Sequence, residues 1–359
     1  MTSAPGESLR GVGENRMVSR FRELAGAALT PSVILGPGDD AAAVRPEPGR
    51  LLLVTCDMMV EQVHFRRDWA TPEQIGWKAM AQNISDIAAM GGQPASAVAS
   101  LAAPSDLPAE VLEQIATGLI SAASEFGAAL VGGDLVGSPG PLVIDVALTG
   151  WVEEDLMLRR RGARPGDAIL VTGALGASAA GLGVLERGLR DRGSPDIIRA
   201  LQAHHTPRPR VAEARAIAES RLATAMMDLS DGLADDLPRL CTESGVGARV
   251  YSDRIPVDPA CRALAASIGR TSLEMATTGG EDYELLLTCS AGAVGRLMAA
   301  VSARSYTPLT VIGEIVEGRS VAFLDAKGQP VSLGSGFDHF AAHSLLRPRQ
   351  GQNGVRISS

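Results

Sequence analysis

The feature that most narrows what this chain can fold into is a set of acidic residues placed beside glycines and other small side chains. They recur in Gly36-Pro37-Gly38-Asp39-Asp40-Ala41-Ala42, Thr55-Cys56-Asp57, Asn83-Ile84-Ser85-Asp86, Gly132-Gly133-Asp134, Asp228-Leu229-Ser230-Asp231-Gly232 and Gly279-Gly280-Glu281-Asp282-Tyr283-Glu284. Any one of them reads blandly as a turn or helix cap, because Asp and Gly are common in both. Six together argue for something else. Carboxylates that follow apolar strands, flanked by residues small enough to let a ligand approach, suit hard oxygen-seeking cations such as Mg2+. Asp86 differs in kind, since Lys78, Gln82, Asp86 and Met90 fall four apart on one helix face. It pairs there with Lys78 or Gln82, or a metal ion relieves the cost of burying it.

Composition sharpens the point by exclusion. The chain has 359 residues, 41 acidic against 33 basic, and a formal charge of -8. An acidic protein of that kind lacks the electrostatic footprint for nucleic acid or an anionic membrane surface. Lys78 and Lys327 are the only lysines. Neither sits in Gly-Lys-Ser/Thr, so there is no P-loop, and the protein-kinase signatures are also missing. Phosphate would have to be held by arginines, backbone amides or metal ions. Cys56, Cys241, Cys261 and Cys289 form no C-x-x-C pair, which argues against a zinc ribbon or disulfide scaffold and fits a reducing cytoplasm. The first residues do not read as a signal peptide. The longest uncharged stretch, 87–105, is broken by Gly91, Gly92, Pro94 and Pro104 and does not read as a membrane span.

Along the chain, strands are expected at 33–35, 41–44, 51–54, 97–101, 128–131 and 141–151, with helices over 14–29, 72–90 and 108–126. Three of the acidic blocks then fall at strand ends. After a basic turn around Arg159-Arg160-Arg161-Gly162-Ala163-Arg164 the theme repeats. Strands are expected at 168–171, 224–227, 248–251 and 283–289, with a final β region at 310–323. Helices are expected over 177–189, led into by Gly173 to Gly176, and over 209–220 and 232–244. This alternation predicts a layered α/β (α+β) architecture in two domains. They span 1–153 and 154–346, the second an α+β half; a polar tail covers 347–359.

Weaker signals remain open on the residues alone. Gly173-Ala174-Leu175-Gly176-Ala177-Ser178, after a strand and opening a helix, presents amides to a phosphate or simply caps the helix. Arg160 and its neighbours clamp an anion or form a solvated surface. His64 is a satisfied, partly buried histidine or a substrate contact.

Read in order, these blocks resemble the thiamine-monophosphate kinase family. The resemblance runs from Gly13-Glu14 to Gly336-Phe337-Asp338-His339-Phe340 and includes Lys78-Ala79-Met80-Ala81 and Gly162-Ala163-Arg164-Pro165-Gly166-Asp167. The wider superfamily contains aminoimidazole ribonucleotide synthetase, selenophosphate synthetase and a hydrogenase maturation factor. His64-Phe65, the Gly279–Glu284 block and Asp338-His339-Phe340 favour the kinase.

The resemblance implies a PurM-like two-domain fold, with N-terminal sheets pairing in a homodimer. It also implies ATP-dependent phosphorylation of thiamine monophosphate to thiamine diphosphate with several Mg2+ ions. Asp40, Thr55, Asp57, Asp86, Asp134, Asp228 and Asp231 would then bind metal, with Asp57, Asp86 and Asp231 at the reacting phosphates. Gly133, Asp134, Arg160 and Ser230 would contact ATP, and His64, Glu281 and Phe337 the thiamine. Two positions depart from the pattern: Cys56 stands where a hydroxyl is usual, and Phe337 where Trp or Tyr is frequent. The alternatives are a synthetase of the same superfamily and a silent nucleotide- or thiamine-binding protein. The chemistry suits the kinase. A phosphate monoester is largely ionised at neutral pH, so the task is to bring two polyanions together rather than to supply a strong base.

Overall fold

A computed structural model describes residues 48–190 and 193–334, with short stretches at 20–21, 23–27, 29–31, 33–35 and 43–44. Strands β1 (Val33–Leu35) and β2 (Ala43–Val44) form a small antiparallel ladder. The first layered unit follows as β3 (Arg50–Val60), α1 (Pro72–Ala89), β4 (Gln93–Ala103), α2 (Ala109–Glu125), β5 (Ala129–Gly137) and β6 (Val143–Glu153). Its sheet has the order β3-β6-β4-β5, antiparallel except for the parallel β4/β5 pair.

Alternation decides which face of β3 is covered. Leu53 and Met59 point inward and are buried, while Leu52, Val54 and Met58, one residue out of phase, are 53%, 68% and 53% exposed. Helices α1 and α2 lie on the inward face. Thr71 caps α1 through a capping box with Gln74, and Pro72 pre-sets its first turn. The two helices touch backbone to backbone: a Cβ on Gly76 would stand 2.0 Å from the Ile115 carbonyl oxygen, and one on Gly118 would stand 2.0 Å from that of Glu73. No side chain fits at either position.

Two acidic blocks expected at strand ends lie inside strands instead. β3 continues through Thr55, Cys56 and Asp57 because each pairs with β6, and β5 continues through Gly132, Gly133 and Asp134 because it pairs with β4. Cross-strand partners thus extend both strands beyond their apolar runs.

The second unit contains β7 (Asp167–Thr172), α3 (Ala177–Glu186), α4 (Pro195–His205), α5 (Val211–Ser220), β8 (Ala223–Asp228), α6 (Leu233–Ser244), β9 (Gly247–Tyr251), α7 (Pro259–Ile268), α8 (Ser272–Thr278), β10 (Leu285–Ser290), α9 (Val294–Ser302), β11 (Leu309–Val316) and β12 (Val321–Leu324). The six strands run β12-β9-β11-β7-β10-β8. β7 is buried along its whole length, as its Ala-Ile-Leu-Val run demands. The β region expected at 310–323 is two strands that do not pair with each other; β9 lies between them. Helices α4, α7, α8 and α9 lie outside the sequence expectation.

Helix α1 belongs to both units. It packs under β3 and β6 and also against α5 and β8, and its Ala88 enters an apolar cluster with Leu170, Ile217, Met226 and Leu285. The helix that carries Asp86 is therefore the seam. Among the described residues no helix is long and apolar enough to cross a membrane.

Candidate active site

Carboxylates from both units converge at the C-terminal half of α1. Thr55 Oγ1 donates to Asp86 Oδ2 at 2.5 Å, tying β3 to α1. One residue earlier, Ser85 Oγ donates to Asp228 Oδ2 at 2.7 Å, tying α1 to the end of β8. Lys78 takes neither carboxylate. The pairing with Asp86 expected from helix spacing does not form, because Asp86 turns toward β3 and Lys78 meets Glu281 at 2.7 Å.

Crowding of like charges is visible in the acidities. Burial, with the charges of Asp86, Asp145 and Asp231, pushes Asp57 up to about 6. Burial followed by the charge of Asp86 pushes Asp228 up to about 7, against the opposing hydrogen bond from Ser85 and the charge of Arg160. Asp86 is raised by burial, although Thr55 and Arg160 act the other way. Arg160 therefore lies within electrostatic reach of two of these carboxylates while its own side chain remains exposed.

The loop after β8 is held by residues that sequence reading missed. Asp236 Oδ2 accepts from the backbone N–H groups of Ser230, Asp231 and Gly232 at 3.1, 3.0 and 3.0 Å. Arg239 pairs with both Asp231 and Asp236. The Asp-x-x-Arg spacing on α6 was the available signal, one turn apart on an amphipathic helix. Glu281 joins this loop by its backbone, its N–H donating to Ser230 O at 2.7 Å, and takes a left-handed φ of 57°. Its other carboxylate oxygen lies 3.4 Å from His204 Nδ1. His64 accepts from Val60 N–H at 3.0 Å through Nδ1 and lines a small cavity with Lys78, His204 and His205. It is thus both a satisfied histidine and a wall of the cavity beside Glu281.

Other residues fall elsewhere. Asp57, Val146, Ala99 and Gly133 form one row across the sheet, which sets Gly133 three strand spacings from Asp57, roughly 14 Å. Gly133 is pressed against its neighbour, where a Cβ would meet the Ala99 oxygen at 2.0 Å. Asp134 belongs to the next row, with Met58, Asp145 and Ser100, and shares their exposed face opposite Asp57. Within one chain it does not join the cluster. Cys56 is on that outward face too, donating to Asp145 Oδ1 at 3.2 Å, so it does not stand in for a hydroxyl beside Asp57. Three amides of the 173–178 loop are engaged: Gly173 and Leu175 donate to the Pro308 and Pro256 carbonyls, and Gly176 N–H donates to Asp282 Oδ2 at 2.7 Å, a buried carboxyl pushed up to about 8, chiefly by burial. Asp40 and Phe337 lie outside the described residues.

The donor set fits Mg2+ in one way. It consists of oxygens alone, and its raised pKa values mark buried, crowded carboxylates of the kind a hard cation relieves. Among the described residues, however, no three His, Cys, Asp or Glu side chains form a ready cage. That matches the habit of Mg2+ to bind through one or two carboxylates and complete its shell with water and substrate phosphate.

Comparisons with known proteins agree with this architecture. Residues 38–152 match the family of AIR synthase related proteins through its N-terminal domain, and residues 164–325 through its C-terminal domain. The thiamine-monophosphate kinase of Synechococcus elongatus is 37% identical over 85% of this chain and 92% of its own. That of Salmonella typhimurium is 34% identical over 92% and 98%. Among solved structures, the thiamine-monophosphate kinase of Stenotrophomonas maltophilia K279a superposes with a TM-score of 0.75 at 32% identity, over 88% of this chain and 96% of its own. AaThiL complexed with AMPPCP and TMP gives 0.71 at 32% identity, over 95% and 100%. HypE, at 20% identity and a TM-score of 0.70, shares the fold. The chain therefore belongs to the AIR synthase related proteins and, among them, to the thiamine-monophosphate kinase family.

Proposed function

We propose that this protein transfers the γ-phosphoryl group of ATP to thiamine monophosphate, yielding thiamine diphosphate and ADP. The observation that carries the reading is the meeting of Asp57 and Asp86 with Asp228 across the seam, with Glu281 reaching the same loop through Ser230. Support comes from the relatives' names and from a related enzyme solved with AMPPCP and TMP together.

In this reading Thr55, Asp57, Asp86, Asp228 and Asp231 hold Mg2+ together with Asp40, and Asp134, on the opposite face of its own sheet, takes part only where a second copy meets that face. When bound, the ions offset the charge of two polyanions and align donor with acceptor. The chain supplies the rest. Ser85 and Thr55 hold the carboxylates by hydrogen bonds, Asp236 fixes the 230–232 loop, and Arg160 offers a cation to the nucleotide phosphates. Ser230 and Gly133 contact ATP; His64, Glu281 and Phe337 contact the thiamine. The acceptor phosphate is already ionised near pH 7, so no residue is assigned as a strong base.

We further propose a homodimer paired through the outward face of the first sheet, where Leu52, Val54, Met58, Val98 and Val136 are all exposed. An apolar face of that size on a sheet calls for cover. The same pairing would shelter Asp134 and Asp145. Cytoplasmic residence and the division at 153/154 belong to the same proposal. Incubation with ATP, Mg2+ and thiamine monophosphate tests the reaction: thiamine diphosphate is expected in step with ADP, and ADP without it would overturn the assignment.

A further inference from the structure

The segment before β10 is held in an unfavourable backbone. Glu281 and Tyr283 both take left-handed φ values, 57° and 50°, and for a buried, bulky residue such as Tyr283 that conformation persists only where the surroundings enforce it. Three backbone hydrogen bonds tie the segment to the loop after β8. Glu281 N–H donates to Ser230 O at 2.7 Å, Tyr283 N–H to Leu229 O at 2.9 Å, and Leu229 N–H to Glu284 O at 2.8 Å. Whatever moves Glu284 therefore moves the residues between Asp228 and Asp231. The Glu284 side chain is 4% exposed, and its one cation among the described residues is Arg210. The guanidinium meets it as a fork, Nε donating to Oε2 at 2.7 Å and Nη2 to Oε1 at 2.5 Å, while Thr172 Oγ1 donates to Oε2 at 2.6 Å. A Cβ on Gly173 would stand 2.1 Å from Oε1, so the carboxylate is closed in on the β7 side.

Arg210 is itself docked from the first unit. It ends the linker between α4 and α5, where Trp77 Nε1 of α1 donates to Pro207 O at 2.8 Å and Arg208 pairs with Glu125 at the end of α2. We propose that Arg210 is a positioning residue for phosphoryl transfer: by gripping Glu284 it sets the twisted 281–284 segment, and with it the 228–231 loop, against Asp57 and Asp86 of the first unit. This rests on the kinase reading above. Without the fork Glu284 is a buried carboxylate with no cation, and the segment loses the contact that opposes its backbone strain.

The test is kcat/KM for thiamine monophosphate at saturating ATP, taken well below the melting temperature of each variant, with and without free guanidinium at millimolar concentration. Arg210 lines two open cavities of about 630 and 830 Å³, and Glu284 lines the first, so in Arg210→Ala the small cation has a path to the carboxylate. A fall of at least about tenfold is expected, given what a small misplacement of reacting groups costs. Guanidinium should recover part of it in a saturable way, and ethylammonium, an equal charge without the planar fork, should recover less. Glu284→Gln should show a comparable fall that guanidinium does not recover. The double variant should be no worse than the poorer single one, because residues acting as a unit do not add. Should Arg210→Ala not fold, Arg210→Lys, which keeps the charge and gives up the fork, carries the same comparison with Glu284→Gln. Native kcat/KM in a folded Arg210 variant, as a purely structural role predicts, would overturn the proposal. So would a loss that guanidinium leaves untouched in Arg210→Ala, or additive losses in the double variant. A native protein that makes no thiamine diphosphate would overturn the kinase reading itself.

Discussion

Ser85 Oγ donates to Asp228 Oδ2 at 2.7 Å, so a helix of the first unit satisfies the buried carboxylate at the end of a strand of the second. The neighbouring residue, Asp86, receives its own donor from Thr55 on the opposite side. Two consecutive residues of α1 therefore hold the two units in register at the acidic site.

Ser85→Ala removes the hydrogen bond that lowers the pKa of Asp228. The carboxyl is already pushed up to about 7, so its ionised form becomes scarcer at neutral pH. A stability loss of about 1–3 kcal/mol is expected in denaturant melts. In chelator, the pH at which stability is lost should also move up, and an unmoved profile would show that Ser85 does not support the ionised carboxylate.

The metal-free protein should lose stability as pH rises. Asp57 and Asp228 ionise at about 6 and about 7 in the folded state, above their unfolded values. Between the unfolded and folded values the folded protein holds the extra proton. The stabilisation is complete at low pH and is lost as pH passes through 6 and 7. Melting in chelator from pH 5 to 8 should show a fall of several degrees, and saturating Mg2+ with ATP should remove much of it. Asp236 and Asp282 carry the same sign at about 6 and about 8, while the buried His204 and His205, both pushed down, carry the opposite sign, so the part of the slope abolished by Mg2+ is the diagnostic one. A slope indifferent to Mg2+ and ATP would separate these carboxylates from metal binding.

Asp236→Ala should be more damaging than its distance from any substrate contact suggests. Three backbone N–H groups share one of its oxygens, and truncation leaves them without an acceptor while freeing Arg239 from one of its partners. A loss of about 2–4 kcal/mol is expected, given about 1–3 kcal/mol per buried unpaired donor and partial access to water. KM for ATP should rise with it, because Ser230 moves. Asp236→Asn keeps an accepting oxygen and should recover most of the stability; equal damage from both variants would point away from the three amides.

Much of the site was legible in the sequence because its parts are local. Thr71, Pro72 and Gly91 bracket α1, and the small residues around Asp86 already mark a buried helix. Register across strands was not legible. Asp57 and Asp134 look alike as acidic ends of apolar runs, yet pairing through β6 and β4 puts them on opposite faces of one sheet. The Lys78 partner was missed for the same reason. Helix spacing offered Asp86, and only the fold brings Glu281 from more than two hundred positions away. Asp236 escaped because its work is done through backbone amides, which carry no side-chain signature.

The outward face of the first sheet gives the last prediction. Val54 is 68% exposed at the centre of a row with Leu52 and Met58, and Val98 and Val136 continue the apolar surface onto β4 and β5. In a lone chain Val54→Asp costs little, since the side chain already faces water. In a paired dimer it buries a carboxylate against apolar neighbours, since Arg50, the one cation of that face of β3, is already held by Glu153. Sedimentation should therefore show a dimer for the native protein and a folded monomer for Val54→Asp, with a melting temperature that becomes independent of protein concentration. A variant that stays dimeric would place the interface elsewhere. Loss of activity in a folded monomer would add that Asp134, on the same face, works only when a second copy covers it.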